Sequence, residues 1–219
     1  MAARAMAMLA AWGLSTGVAP VGGSTLKLQV NADARPVAEA VLSLRPQQPT
    51  MGAPGRVVVD QIGSQFVPRV TAVQVGTAVD FPNSDQTRHQ VYSFSPAKRF
   101  SLPLYSGTPP EPVLFDQPGV VSLGCNIHDW MQGYIVVVDT PYFAVTDASG
   151  AAIIEAPVGH YTLEVWHERL LGDASQNIEL SAGEVRLPLS IELSPPPPPR
   201  GSERLRALQD RLREQRGRD

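Results

Sequence analysis

The chain lacks a second cysteine. Its one thiol, at Cys125, excludes an internal disulfide but does not settle the redox compartment, because a lone thiol can also be a metal ligand. It also lacks an excess of charge. A net charge of -3 gives no reason to invoke nucleic acid as a partner. No apolar run is long enough to span a bilayer comfortably. The nearest approach is "AMAMLAAWGL" after Arg4, about ten residues, with small residues behind it in "STGVAPVGGS". That order reads as a secretory signal over residues 1–23, cut between Ala19 and Gly23. The mature protein is then expected in the periplasm, with no transmembrane segment. Long helices are not expected either, since 21 prolines and 18 glycines favour many turns.

What is present is β-like. From Ser24 to about Leu193 the chain offers "TLKLQV", "AVLSL", "RVVVD", "VTAVQV", "AVDF", "QVYSF", "GVVSLGC", "YIVVVD", "YTLEVWH" and "EVRLPLSIEL". Several alternate apolar and polar residues, the period of a half-buried strand. Many short strands separated by turn residues predict an all-β chain built as sandwiches or barrels. The composition then changes. "SPPPPPR" reads as a polyproline II spacer. Behind it, Leu205, Leu208 and Leu212 fall at helical spacing among charges. Residues 195–219 are expected to be a Pro-rich linker and a short helix, either solvated or used for docking. Its length is marginal for an isolated helix.

The chemistry gathers in "GCNIHDWM". Cys125, His128 and Met131 offer a thiolate, an imidazole and a thioether. With a second imidazole such donors suit copper, and His₂Cys with a weak axial Met is the blue-copper arrangement. His89, in "VDFPNSDQTRHQVYSF", lies between two β-like runs, where a loop at one end of a sandwich would stand beside the thiol loop. His160 and His167, in "PVGHYTLEVWHERL", read as ordinary sheet or surface histidines. Each residue of the cluster alone could be core filling. Zinc fits less well, since methionine is an unusual zinc ligand. A Cys–His nucleophile lacks a strand-to-helix context and an orienting carboxylate.

Residues Val70 to Val138 resemble a cupredoxin, the plastocyanin/amicyanin class of type 1 copper proteins. "VQVGTAVDFPNSD" is similar to the lead-in to the first ligand, and "FDQPGVVSLGC" to the segment before the cysteine. "CNIHDWMQGYIVVVD" has Cys-x₂-His-x₂-Met and a valine-rich final strand. The resemblance implies one type 1 copper held by His89, Cys125, His128 and Met131. Two positions depart from the family. Gln90 stands where Asn usually follows the first ligand, and Asn126-Ile127 where Ser or Thr and then Pro usually follow the cysteine. In the family those neighbours tie the two ligand loops together, a role that falls here to Gln90 and Asn126. Trp130 and Tyr134 flank the ligands; Trp130 either packs beside His128 or fills the core.

The segment "TPYFAVTDASGAAIIEAPVGHYTLEVWHERL" resembles the later half of a carboxypeptidase-regulatory or transthyretin-like sandwich, and "LKLQVNADARPVAEAVLSLRP" its early half. The favoured division is one small β-sandwich split into residues 24–55 and 140–194, with a Greek-key cupredoxin domain at 56–139 inserted. The alternative is an N-terminal extension followed by an independent C-terminal sandwich. The overall order also resembles plastocyanin-like proteins of the methylamine utilisation type.

The resemblance implies one-electron transfer rather than enzymatic catalysis. Expected partners are redox proteins such as a c-type cytochrome or a periplasmic dehydrogenase, met in small transient interfaces. Two other functions stay open: a periplasmic copper carrier or sensor, and a structural or adhesion module with an incidental metal site.

Overall fold

The computed structural model describes residues 22–109 and 111–197, with residues 208, 210, 211 and 215 of the tail. The expected leader lies outside the described residues apart from 22 and 23. So does most of the tail, whose four described residues are helical. Among the described residues no helix is long and apolar enough to cross a membrane.

The chain opens with β1 (Gly23–Ala32), β2 (Arg35–Pro36) and β3 (Val41–Pro46). Ten strands follow: β4 (Arg56–Val58), β5 (Asp60–Ile62), β6 (Gln65–Val67), β7 (Val70–Gln74), β8 (Thr77–Asp80), β9 (His89–Ser95), β10 (Lys98–Tyr105), β11 (Val113–Phe115), β12 (Gly119–Gly124) and β13 (Gln132–Val138). Five more complete it: β14 (Phe143–Val145), β15 (Ala151–Pro157), β16 (Gly159–Trp166), β17 (Gln176–Leu180) and β18 (Gly183–Ser190).

The first and last thirds of the chain share two sheets. One has the order β15-β1-β18, with β2 folded back on β1; the other is β14-β3-β16-β17. Alternation explains β1: Leu26, Leu28 and Val30 are buried, whereas Lys27 and Gln29 face outward. In the parallel ladder Leu26, Leu28 and Val30 meet Val185, Leu187 and Leu189 of β18. In the facing sheet Leu44 and Leu42 of β3 meet Leu163 and Val165 of β16. The two faces close one apolar core.

The middle third forms its own sandwich. Its five-stranded sheet, β10-β9-β12-β13-β7, packs on the three-stranded β11-β8-β4. Between them lie Val73, Val79, Phe81, Val91, Val121, Leu123 and Ile135, with Cys125 and Met131 at one end. The short hairpin β5–β6 belongs to neither sheet.

The two sandwiches meet through Val41, Val70, Val136 and Val138. Tyr134 packs against Trp166, ring centroids 5.2 Å apart, and Arg69 lies over the Tyr134 ring. Arg69 pairs with both Glu39 and Glu168, and its bond to Glu168 holds that carboxyl below the ordinary range.

Several strands escape the sequence reading, the longest of them β10, β15 and β17. In β10, Pro103 interrupts the pattern, and the register with β9 shifts between Leu102 and Tyr105, as an edge strand allows. In β15, the outward position Ile153 is 57% exposed and hides the alternation of Ala152, Ile154 and Ala156. β17 is a short edge strand. One expected strand, "RVVVD", is broken at Val59, whose N–H donates to the Asp80 carbonyl at 2.9 Å.

Candidate metal centre

Strands β9 and β12 run antiparallel, with Gly124 opposite Tyr92. The start of β9 and the end of β12 therefore lie at the same end of the sandwich. His89 is the first residue of β9 and Cys125 the first after β12. The chain then turns back into β13, and the turn is closed by the Met131 N–H donating to the His128 carbonyl at 3.0 Å. Gly124 makes room for a close approach at the entry. A Cβ there would sit 2.8 Å from the Cζ and hydroxyl oxygen of Tyr92, so the tyrosine ring lies directly on the backbone that leads to the thiol.

One ligand atom each from His89, Cys125 and His128 come within 4.8 Å of one another. His89 is fully buried, Cys125 is 4% exposed and His128 is half-buried. The Nδ1 of His89 lies 3.9 Å from the Cys125 sulfur. The two imidazole centroids are 5.0 Å apart. Met131 is 1% exposed and belongs to the same core as Cys125. Both line a cavity of about 130 Å³ with Tyr92 and Asp129.

The other nitrogen of His89 has a partner that the sequence reading did not find. Nε2 lies 2.8 Å from Oδ2 of Asp85. That carboxylate also accepts the N–H groups of Gly63 at 2.7 Å and Ser64 at 2.8 Å. Chiefly the Ser64 bond, helped by Gly63 and His89, holds the Asp85 carboxyl below its usual range against the opposing effect of burial. An aspartate four residues before the candidate histidine in "NSDQTRH" was the available signal.

Below the thiol, Tyr105 donates to the Phe81 carbonyl at 2.5 Å and accepts from the Gln61 side chain. Burial pushes its phenol up to about 12. Asn83 donates to the carbonyls of Thr87 and Tyr105 at 2.9 and 2.8 Å, which pins the loop that carries Asp85 and leads into His89.

Three expectations change. Gln90 does not tie the ligand loops together: it points along the sheet and donates to Ser101 at 3.0 Å, because β10 is its neighbour. Asn126 is exposed. Tyr134 does not flank the donors but faces the second sandwich, since alternation along β13 turns it away. Trp130 packs beside His128 rather than filling the core: its ring lies 5.0 Å from that of His128 and the side chain is 59% exposed. His160 is exposed on β16. His167 is buried beside β16, its Nδ1 accepting the Arg169 N–H.

A buried thiol, two imidazoles and a thioether suit a soft or borderline metal ion. The test of fit is His128. Its Nδ1 is buried without a hydrogen-bond partner among the described residues. Such an orphan costs about 1–3 kcal/mol, which a metal bond would remove.

No family model and no curated protein matches the chain. Similar solved structures include a copper-containing nitrite reductase from Thermus scotoductus SA-01, at 28% identity over 41% of this chain and 23% of that one, with a TM-score of 0.36. They also include a purple cupredoxin from Nitrosopumilus maritimus, at 21% identity over 38% of this chain and 99% of that one, TM-score 0.33. A reduced amicyanin mutant matches at 21% identity over 44% of this chain and 99% of that one, TM-score 0.35. This chain thus spans less than a quarter of the nitrite reductase. With TM-scores below 0.5, these likenesses carry no weight in the chemistry that follows. The middle third is a two-sheet β-sandwich with three candidate donors gathered at one end.

Proposed function

We propose that the protein is an exported type 1 copper protein that carries single electrons between redox partners. In this reading His89, Cys125 and His128 would hold one copper ion, with the Met131 thioether as a weaker fourth ligand. The observation that carries the reading is the convergence of the three donor atoms within 4.8 Å, with His128 Nδ1 buried and unpartnered. Bound copper supplies a one-electron couple between Cu(I) and Cu(II). The chain's part is to keep the donors still. His89 and Cys125 sit at the ends of paired strands, and Met131 is bonded through its backbone to the turn that carries His128. His128 is the least buried of the four. With Trp130 beside it and Ile127 44% exposed, it offers an apolar face to a partner such as a c-type cytochrome or a periplasmic dehydrogenase.

The reading extends to the rest of the chain. Residues 1–23 are a cleaved leader and the mature protein is periplasmic. Residues 24–55 and 140–194 make one small sandwich into which the copper domain, 56–139, is inserted. The pairing of β1 with β18 and of β3 with β16 supports that division.

The deciding experiment is an absorption spectrum of the mature protein after addition of Cu(II). An intense thiolate-to-copper band in the visible is expected, and Cys125→Ser should abolish it. No band, or a band that survives the substitution, would overturn the assignment. An electron carrier should also retain copper through repeated oxidation and reduction in the presence of a chelator. Release of Cu(I) under those conditions would favour a carrier.

A further inference from the structure

We propose that Asp85 is a positioning residue for the metal centre, locking His89 with its Nδ1 lone pair free before any metal arrives and placing a negative charge behind that ligand. The inference rests on the copper reading above and deepens it.

The argument starts in the β5–β6 hairpin. Its turn places Gly63 and Ser64 in succession at φ of +62° and +57°. For Ser64 that conformation is strained, at a cost of about 1 kcal/mol. It has one visible use. The two consecutive N–H groups converge on the Asp85 carboxylate, making an anion-binding nest. The hairpin is stitched to the same loop at its other end. Asp60 accepts the hydroxyl of Ser84 at 2.7 Å, and the Ser84 N–H also donates to the Gln61 carbonyl at 3.1 Å. On the opposite flank, Asn83 accepts the Asp85 N–H at 3.0 Å and fastens the loop to Tyr105 of β10. The carboxylate is therefore held from both sides.

A fixed carboxylate constrains the imidazole it meets. An ionised carboxylate only accepts, and a neutral imidazole carries one N–H. Oδ2 of Asp85 at 2.8 Å from Nε2 places that proton on Nε2. Nδ1 is left with a free lone pair on the side that faces the thiol, 3.9 Å away. A carboxylate bonded to the remote nitrogen also raises the basicity of a ligating imidazole. That favours the more highly charged metal ion. The two candidate imidazoles are therefore unequal. His89 is prepared by the fold, whereas His128 keeps an unpartnered Nδ1.

Ring ¹⁵N NMR of the metal-free protein tests the lock without copper. The wild type should show His89 in one tautomer, protonated on Nε2. Asp85→Ala should mix the tautomers or move the proton to Nδ1. Asp85→Asn should keep the wild-type tautomer, because the amide oxygen can still accept. A wild-type His89 protonated on Nδ1, or a tautomer unchanged by Asp85→Ala, overturns the lock. The wild-type spectrum decides even if the alanine variant fails to fold.

Copper tests the charge. Asp85→Ala should weaken Cu(II) binding by about 10–100-fold. Asp85→Asn keeps the tautomer but loses the charge, so Cu(II) affinity should fall more than Cu(I) affinity. A tenfold difference raises the one-electron potential by about 59 mV. Equal potentials in wild type and Asp85→Asn overturn the charge contribution. If the wild-type protein gives no copper band, the functional reading falls and the NMR result still decides the lock.

Discussion

The two sandwiches are built by the same alternation, yet their cores finish differently. In the small sandwich the core is mostly apolar, from Leu26, Leu28 and Val30 across to Leu42, Leu44 and Leu163, and its polar members Ser24, Thr146 and Tyr161 offer only hydroxyls. In the other, the core begins in the same way with Val121, Leu123 and Ile135. At one end the inward positions then carry donor atoms: Cys125, Met131 and, beside them, His89. The difference shows what the middle sandwich adds at its candidate metal centre. The packed sheets hold the donors at fixed places, and the hydrogen bonds that support them gather at one rim. There Asp85, Asn83 and the 60–67 hairpin replace packing with hydrogen bonds.

If the two regions are separable, damage to each should read out differently. The largest effect is expected from Leu163→Ala. This side chain is fully buried in the hydrocarbon core, so its loss should cost about 2–5 kcal/mol in urea denaturation. The copper band of the folded protein should not move. A shifted band would mean that the second core shapes the metal site. Gly124→Ala should come next, at about 1–3 kcal/mol, because its new Cβ meets the Tyr92 ring. Here the spectrum should change, since the thiol loop starts at the next residue. Gly55→Ala, with nothing within 4 Å of its Cβ, is the control and should change neither readout.

The smallest effect tests the junction. Arg69→Ala removes a half-exposed cation between Glu39 and Glu168 and should cost about 1 kcal/mol at pH 7. Glu168 is depressed when folded, chiefly by its bond to Arg69. Its contribution is therefore present above its unfolded value, about 4.3, and is lost as pH falls through the folded value. The penalty of the substitution should shrink in acid. A penalty that does not shrink as pH falls would point to lost packing of Arg69 over Tyr134 instead.

Much of this comparison was legible in the sequence, for a physical reason. Alternation marks a strand only when one face is dry and the other wet, so β1 and β12 stood out; β7 and β13, buried on both faces, read as apolar runs, and the edge strands β10 and β17 did not stand out. The donors were legible because Cys125, His128 and Met131 lie within one turn. His89 needed the added step of seeing that its strand would run beside β12. Asp85 was hidden because its role depends on Gly63 and Ser64, some twenty residues earlier, whose N–H groups carry no side-chain signature. Gln90 misled because it follows the ligand directly, and in a strand the next residue points the other way.

The parallel pairing of β1 with β18 has a further consequence, for the order in which the protein is completed. Ser24 and Gly183, bonded across that ladder, are 159 residues apart in the chain. A polypeptide emerges from its N-terminus, so β1 waits with Leu26, Leu28 and Val30 uncovered until Ala151–Pro157 and Gly183–Ser190 have been made. Strands β4 to β13 meanwhile find all their sheet partners among residues 56–138. The donor-bearing sandwich can thus close around its core while the first strand is still single. The first strand is completed by strands made late, in a non-local closure of the kind that folds slowly.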